Sequence, residues 1–314
     1  MRNDTLRSSI VTGTLTLPFV AVVTLCTWAA ADYGSSLLWG GLAIVGLLTY
    51  ILMEWVNRNQ LLRIRSRMVS STFLALAAAS PFVHAAAVTW VPPLCLVVAY
   101  ILLLASFQQA RPEGKVFYAF AVLTIGAFFF PPLIVLSLMF YASMLVQQRC
   151  FTWRTFMAGL FGVIVPVLFY TVWVLAQGDV FHAFDFVLPW LTWQRPDYAH
   201  LPLWQEINCG FLGFQIFLGL LHYYRTNFND KIKVRMSYYL MMMVEIVLIA
   251  ALCLYPDYFV WLYPLLLVNS APLIGHYWAL ARGRALMTCW FVLHILLLIA
   301  LALYNYGLLT FLPQ

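Results

Sequence analysis

Residues 37–88 read LLWGGLAIVGLLTYILMEWVNRNQLLRIRSRMVSSTFLALAAASPFVHAAAV. An apolar stretch, Leu37–Val56, gives way to a segment holding Arg58, Arg63, Arg65 and Arg67, and a second apolar stretch, Met68–Val88, follows. A bilayer crossing takes about 20 apolar residues, so each stretch is long enough to be one. Lys and Arg in short loops mark the cytoplasmic side, so the four arginines read as a cytoplasmic turn between two crossings.

The same alternation extends in both directions. Arg2 and Arg7 precede the first apolar run; Arg111 with Lys115, Arg149 with Arg154, the group Arg225, Lys231, Lys233 and Arg235, and finally Arg282 with Arg284 separate later ones. With these clusters in the cytoplasm, Arg195 is the only one of the 17 Lys and Arg residues left on the far side. The composition agrees: 64% of the 314 residues are hydrophobic and 9% charged, against roughly 25% charged in soluble domains. The chain therefore reads as a single transmembrane domain, 1–314, in an all-α polytopic helical bundle.

The net charge of +6 sits in juxtamembrane loops, where anionic headgroups are the nearest partners. Membrane lipids are the expected partner, and nucleic acid is not. The cysteines, Cys26, Cys95, Cys150, Cys209, Cys253 and Cys289, form no C-x-x-C pair, so neither a metal site nor a disulfide framework is expected. The run from Ile10 to Ala31 exceeds the roughly 7–15 residues of a signal-peptide core and reads as the first transmembrane helix.

The spacing predicts about eleven spans: Ile10–Ala31, Leu37–Val56, Met68–Val88, Val91–Phe107, Val116–Phe130, Pro132–Val146, Thr155–Ala176, Trp204–Tyr223, Met236–Tyr255, Tyr258–Leu280 and Ala285–Leu303. The N-terminus is placed in the cytoplasm of a bacterial inner membrane. Val116–Phe130 and Pro132–Val146 are the shortest; as a re-entrant hairpin they would leave nine crossings. Trp39, Trp55, Trp90, Trp153, Trp190, Trp193, Trp204, Tyr255 and Tyr258 fall near span ends, where the interface favours Trp and Tyr.

Three groups of residues offer chemistry. The outer segment QGDVFHAFDFVLPWLTWQRPDYAHLPLW, 177–204, places Phe181, Phe184, Val187 and Leu188 at helical spacing, the pattern of an interfacial helix. Around it Asp185, Asp197 and His200 are candidate catalytic groups, and Arg195, His182 and Glu206 candidate substrate contacts. A guanidinium such as Arg195 matches a phosphate bidentately; the alternative is a solvated loop with Arg195 paired to Asp197. Within the bilayer, Glu245, Asn269 and His294 lie near the middles of consecutive spans. Ionisable groups there are costly and face the protein interior, as a buried site or as glue between helices. The third group is Glu54 with NRNQLLRIRSR, 57–67, either a topology-fixing loop on anionic lipid or a phosphate site. No Walker, nucleophile-elbow or H-E-x-x-H pattern occurs, and no cofactor is expected.

Two stretches, NRNQLLRIRSRMVSSTFLALAAASPFVH at 57–84 and FFFPPLIVLSLMFYASMLVQQRCFTWRTFMAGLFGVIVPVLFY at 128–170, resemble a family of uncharacterised multi-spanning inner-membrane proteins of Bacteroidetes-type bacteria. The resemblance rests on Asn57-Arg58-Asn59, Arg65-Ser66, Phe129 to Pro132, and Arg154 with Gly159, Gly162 and Pro166. The second stretch also looks loosely like the membrane halves of glycosyltransferases and polymerases that use polyprenyl-linked sugars. Such enzymes carry a catalytic acid in a long outer loop after the first span. Here that loop, Asp32 to Ser36, is short, so segment 177–203 would have to carry the chemistry.

Three functions fit these observations. One is cell-envelope biogenesis on a lipid-linked, polyprenyl-phosphate-sugar-like substrate at the outer face, glycosyltransferase-like in chemistry. The others are a non-catalytic subunit with a membrane-protein partner, and a transporter or flippase using the midplane polar residues.

Overall fold

The structure, a computed structural model, describes residues 6–31, 36–84, 86–178, 187, 196, 198, 201–281, 283 and 285–308. Among them the secondary structure is helical, with no strand. The helices are α1 (Leu6–Thr12), α2 (Thr16–Ala31), α3 (Ser36–Asn59), α4 (Met68–Ala78), α5 (Val91–Leu104), α6 (Glu113–Phe129), α7 (Leu136–Val146), α8 (Trp153–Gln177), α9 (Leu203–Thr226), α10 (Ile232–Leu254), α11 (Phe259–Leu280) and α12 (Ala285–Asn305). Among the described residues, six segments are long and apolar enough to cross a membrane: Leu38–Asn59, Ala87–Leu104, Trp153–Gln177, Ile232–Leu254, Pro256–Leu280 and Ala285–Asn305. Thr16–Ala30, Met68–Ala78 and Pro131–Val146 are apolar but shorter. This is the make-up of a polytopic integral membrane protein, and its helices imply lipid contact.

Proline sets several boundaries. The residue before a proline is pushed out of the helical region. Ser80, ahead of Pro81, has φ −121° and ψ 72°, and α4 has ended at Ala78. The expected span Met68–Val88 is therefore an eleven-residue helix followed by 3-10 turns at Pro81–Val83 and Ala87–Trp90. Phe130, ahead of Pro131, is likewise extended and ends α6. Thr152 and Thr155 form a reciprocal capping box that starts α8, and Gly178, at φ +80°, ends it. Pro264 and Pro272 lie inside α11; membrane helices tolerate such prolines because neighbouring helices and side chains can re-satisfy freed backbone groups.

The chain sorts into two compact units. One comprises 1–90, 197–235 and 256–314; the other comprises 91–196 and 236–255. In the first, α11 is the hub, buried over most of its length, and it packs against α4 and α9. A Cβ on Gly275 would lie 2.7 Å from Val69 Cα and 2.9 Å from Val69 N. Only glycine admits that approach of α4 to α11. By contrast α12 buries little beyond Phe291, His294, Leu301 and Tyr304 and turns Leu286, Leu296 and Ile299 outward, as a lipid-facing helix does.

This unit has two distinct ends. At one, Arg63 and His276 meet at Asp230, Lys231 donates to Gln60, and Arg7 donates through Nε and an η nitrogen to the Trp278 carbonyl at 3.3 and 3.2 Å. At the other, Trp28 stacks on His84 with ring centres 3.5 Å apart. There Asn305 donates to the Ala79 carbonyl at 2.7 Å and exchanges hydrogen bonds with Asn208. The Tyr306 hydroxyl reaches the Thr27 and Ala78 carbonyls. Helices α2, α3, α4, α9, α11 and α12 each run between these ends, so the positive clusters around 7, 58–67 and 225–231 share one of them.

In the second unit α6 packs between α5 and α8. A Cβ on Gly162 would lie 2.5 Å from the Phe117 carbonyl oxygen, which fixes the close crossing of α6 and α8. The outer face of α8 exposes Phe161, Leu168, Phe169 and Trp173.

Candidate functional site

Helix α3 stops where Gln60 enters the left-handed region at φ 53°. The next seven residues are irregular. Leu61 and Leu62 are buried and draw the loop inward, leaving Arg63 and Arg65 exposed. Ser66 donates to the Val11 carbonyl at 2.6 Å and Arg67 to the Thr14 carbonyl at 3.1 Å, fastening the loop to the α1–α2 connection. On a helix, alternate arginines diverge; in this irregular loop Arg63 and Arg65 line one cavity of about 760 Å³.

The cavity's fixed point is Asp230, in the turn between α9 and α10. Arg63 Nε donates to Asp230 Oδ1 at 2.6 Å, and an η nitrogen donates to the Thr226 carbonyl at 2.6 Å. His276 Nε2 stands 3.5 Å from Asp230 Oδ2, the outer limit of a hydrogen bond. His276 is fully buried, with the rings of His222 and Tyr223 at 5.4 and 5.1 Å. Burial alone would push the Asp230 carboxyl up, but contacts from His276 and Arg63 outweigh it and hold the group below its ordinary 3.8. Across the cavity, Lys231 Nζ donates to Gln60 Oε1 at 2.6 Å. Glu54 pairs with Arg58 at 2.5 Å on the exposed flank.

A second concavity is apolar. A groove of about 700 Å³ runs along α2, α4 and α12, lined by Phe19, Val23, Ala75, Ile295, Leu298 and Ala302 among others. Its wall includes Ser71, Thr72 and His294. The Ser71 and Thr72 hydroxyls are buried and find no hydrogen-bond partner among the described residues. His294 stacks on Trp278 and Phe211, and its Nδ1 accepts from the Gln215 amide at 2.7 Å.

Of the candidates read from the sequence, Asp185, Asp197, His200, His182 and Arg195 lie outside the described residues. Glu206 is exposed in the first turn of α9. Glu245 is fully buried in the second unit, within electrostatic reach of the Tyr100 phenol. Asn269 and His294 are buried in the first unit. Asn269 precedes Trp278, the residue His294 stacks on, by nine residues, about 13 Å of helix rise. The structure thus pairs His294 with Gln215, a partner that its sequence context does not announce. Asp230 and His276 are likewise absent from the sequence-based candidates. Asp230 is visible in the sequence as the one acid inside the cluster 225–235, whereas nothing local marks His276. No group of three or more potential metal ligands occurs among the described residues.

No family model, curated protein or solved structure matches the chain.

Proposed function

We propose that this chain is a protein of the bacterial inner membrane with a cytoplasmic N-terminus and about eleven crossings, related to the Bacteroidetes-type family named above. It acts in cell-envelope biogenesis on a lipid-linked, polyprenyl-phosphate-sugar-like substrate at the outer face. The observation that carries this reading is the apolar groove. It extends from Ile10, Leu15 and Met68 near the cationic end to Thr27, Ala79 and Ala302 at the opposite end. An apolar furrow at membrane depth suits a prenyl or acyl chain, since lipid is the surrounding medium. Segment 177–203 leads directly into α9 at the end marked by Trp204 and Asn208, where a lipid headgroup held by the groove would emerge. Asp185, Asp197, His200 and Arg195 belong to that segment and supply the charged groups that headgroup chemistry requires.

The test is photocrosslinking of the full-length protein in nanodiscs with a photoactivatable polyprenyl phosphate. Crosslinks are expected on α2, α4 and α12. Ala75→Phe and Ala302→Phe, which fill the furrow from two helices, are expected to reduce them at least fivefold. Crosslinks spread evenly over the outward face of α8, or unaffected by either variant, would overturn the reading.

A further inference from the structure

We propose that the cavity between loop 60–67 and turn 226–231 is a binding site for a phosphate group, with Arg65 and Lys231 as its grips. It lies at the opposite end of the unit from Trp204 and Asn208 and is independent of the lipid groove. Five ionised side chains line the cavity: Glu54, Asp230, Arg63, Arg65 and Lys231. Glu54 is matched by Arg58. Asp230 is matched by Arg63, with His276 on its second oxygen. Both acids are therefore already neutralised by partners other than Arg65 and Lys231.

Lys231 is held by the neutral amide oxygen of Gln60, which orients the ammonium and leaves its charge uncompensated. Arg65 makes no hydrogen bond or ion pair among the described residues. Two positive charges thus face a cavity of about 760 Å³ that easily admits a phosphate. Neutral hydrogen-bonding groups, Asn57, Gln60 and Asn229, line it beside them. A guanidinium grips phosphate bidentately, and an ammonium adds a point charge. Arg63 has a different part: tied to Asp230 and the Thr226 carbonyl, it is a positioning residue that joins the two walls.

Phosphate chemistry reaches such a site from an anionic phospholipid headgroup or from a free phosphate. The experiment uses the full chain in mild detergent, with inorganic pyrophosphate in one arm and phosphatidylglycerol in the other. Ligand-induced thermal shift and native mass spectrometry are the readouts. Wild type is expected to gain stability with at least one ligand. Arg65→Gln/Lys231→Gln is expected to weaken that ligand at least tenfold, and Arg154→Gln, in the other unit, to leave it unchanged. Response to pyrophosphate assigns a soluble ligand; response to phosphatidylglycerol alone assigns a headgroup. Because Arg65 is exposed and makes no hydrogen bond or ion pair among the described residues, Arg65→Gln alone is expected to fold normally and to show a partial loss. Equal ligand response in wild type and both variants, or no response to either ligand, overturns the proposal.

Discussion

Asp230 holds one wall of the cationic cavity to the other, and its carboxylate is almost fully enclosed, 2% exposed. Hydrogen bonds to charged groups contribute about 1.5–3 kcal/mol, and removing one partner of an enclosed pair leaves the other uncompensated. Arg63→Met is accordingly expected to destabilise the protein by about 2 kcal/mol, read as a lower Tm in detergent. The pH dependence follows from the sign of the shift. The folded carboxyl titrates below its ordinary value, so its stabilisation is complete above the normal carboxylate range and is lost as pH falls below about 4. Wild type is expected to lose Tm through that window more steeply than Asp230→Asn; identical acid slopes would contradict the assignment. At this scale the sequence is only partly legible. The arginines of 57–67 stand out by charge, but their convergence requires a non-helical loop. His276 and Gln215 are polar residues in apolar runs, and only the packing of separate helices tells their roles apart.

At the scale of elements, apolar run length locates most of the helices but overstates α4. Residues 68–88 are apolar enough for a crossing, yet Ser80-Pro81 ends the helix after eleven residues, about 16 Å. Hydrophobicity records what lipid or core accepts, not which backbone geometry fills the distance. The crossing of α4 and α11 gives a direct test. Gly275→Ala places a methyl 2.7 Å from Val69 Cα, and overpacking of this kind costs roughly 1–3 kcal/mol. A methyl added at Gly210, in α9, would meet no neighbouring atom within 4 Å, and Gly→Ala in a helix gains up to about 1 kcal/mol. A Tm lowered by the first substitution and unchanged or raised by the second is expected. Equal effects would mean that the close approach does not set the packing.

For the molecule as a whole, the alternation of charge and apolar runs is the most legible feature, because sidedness is written in composition rather than in contacts. The first unit gathers Arg7, Arg63 and Lys231 at one end and Trp28, Asn208 and Tyr306 at the other. With the six native cysteines replaced, Asn57→Cys and Asn229→Cys are expected to react with an impermeant thiol reagent from the same side of oriented vesicles, and Glu206→Cys from the other. Labelling of Asn57→Cys and Asn229→Cys from opposite sides would break the threading. The clasps at these ends also bear on biosynthesis. The carbonyls of Ala78 and Ala79 are satisfied by Tyr306 and Asn305, and Arg7 is satisfied by the carbonyl of Trp278. A chain inserted helix by helix must therefore hold its first quarter in the bilayer with those groups unmatched until α11 and α12 arrive. The early helices wait for the last ones, and truncation before α12 is expected to yield a product cleared by membrane proteases rather than a smaller folded core.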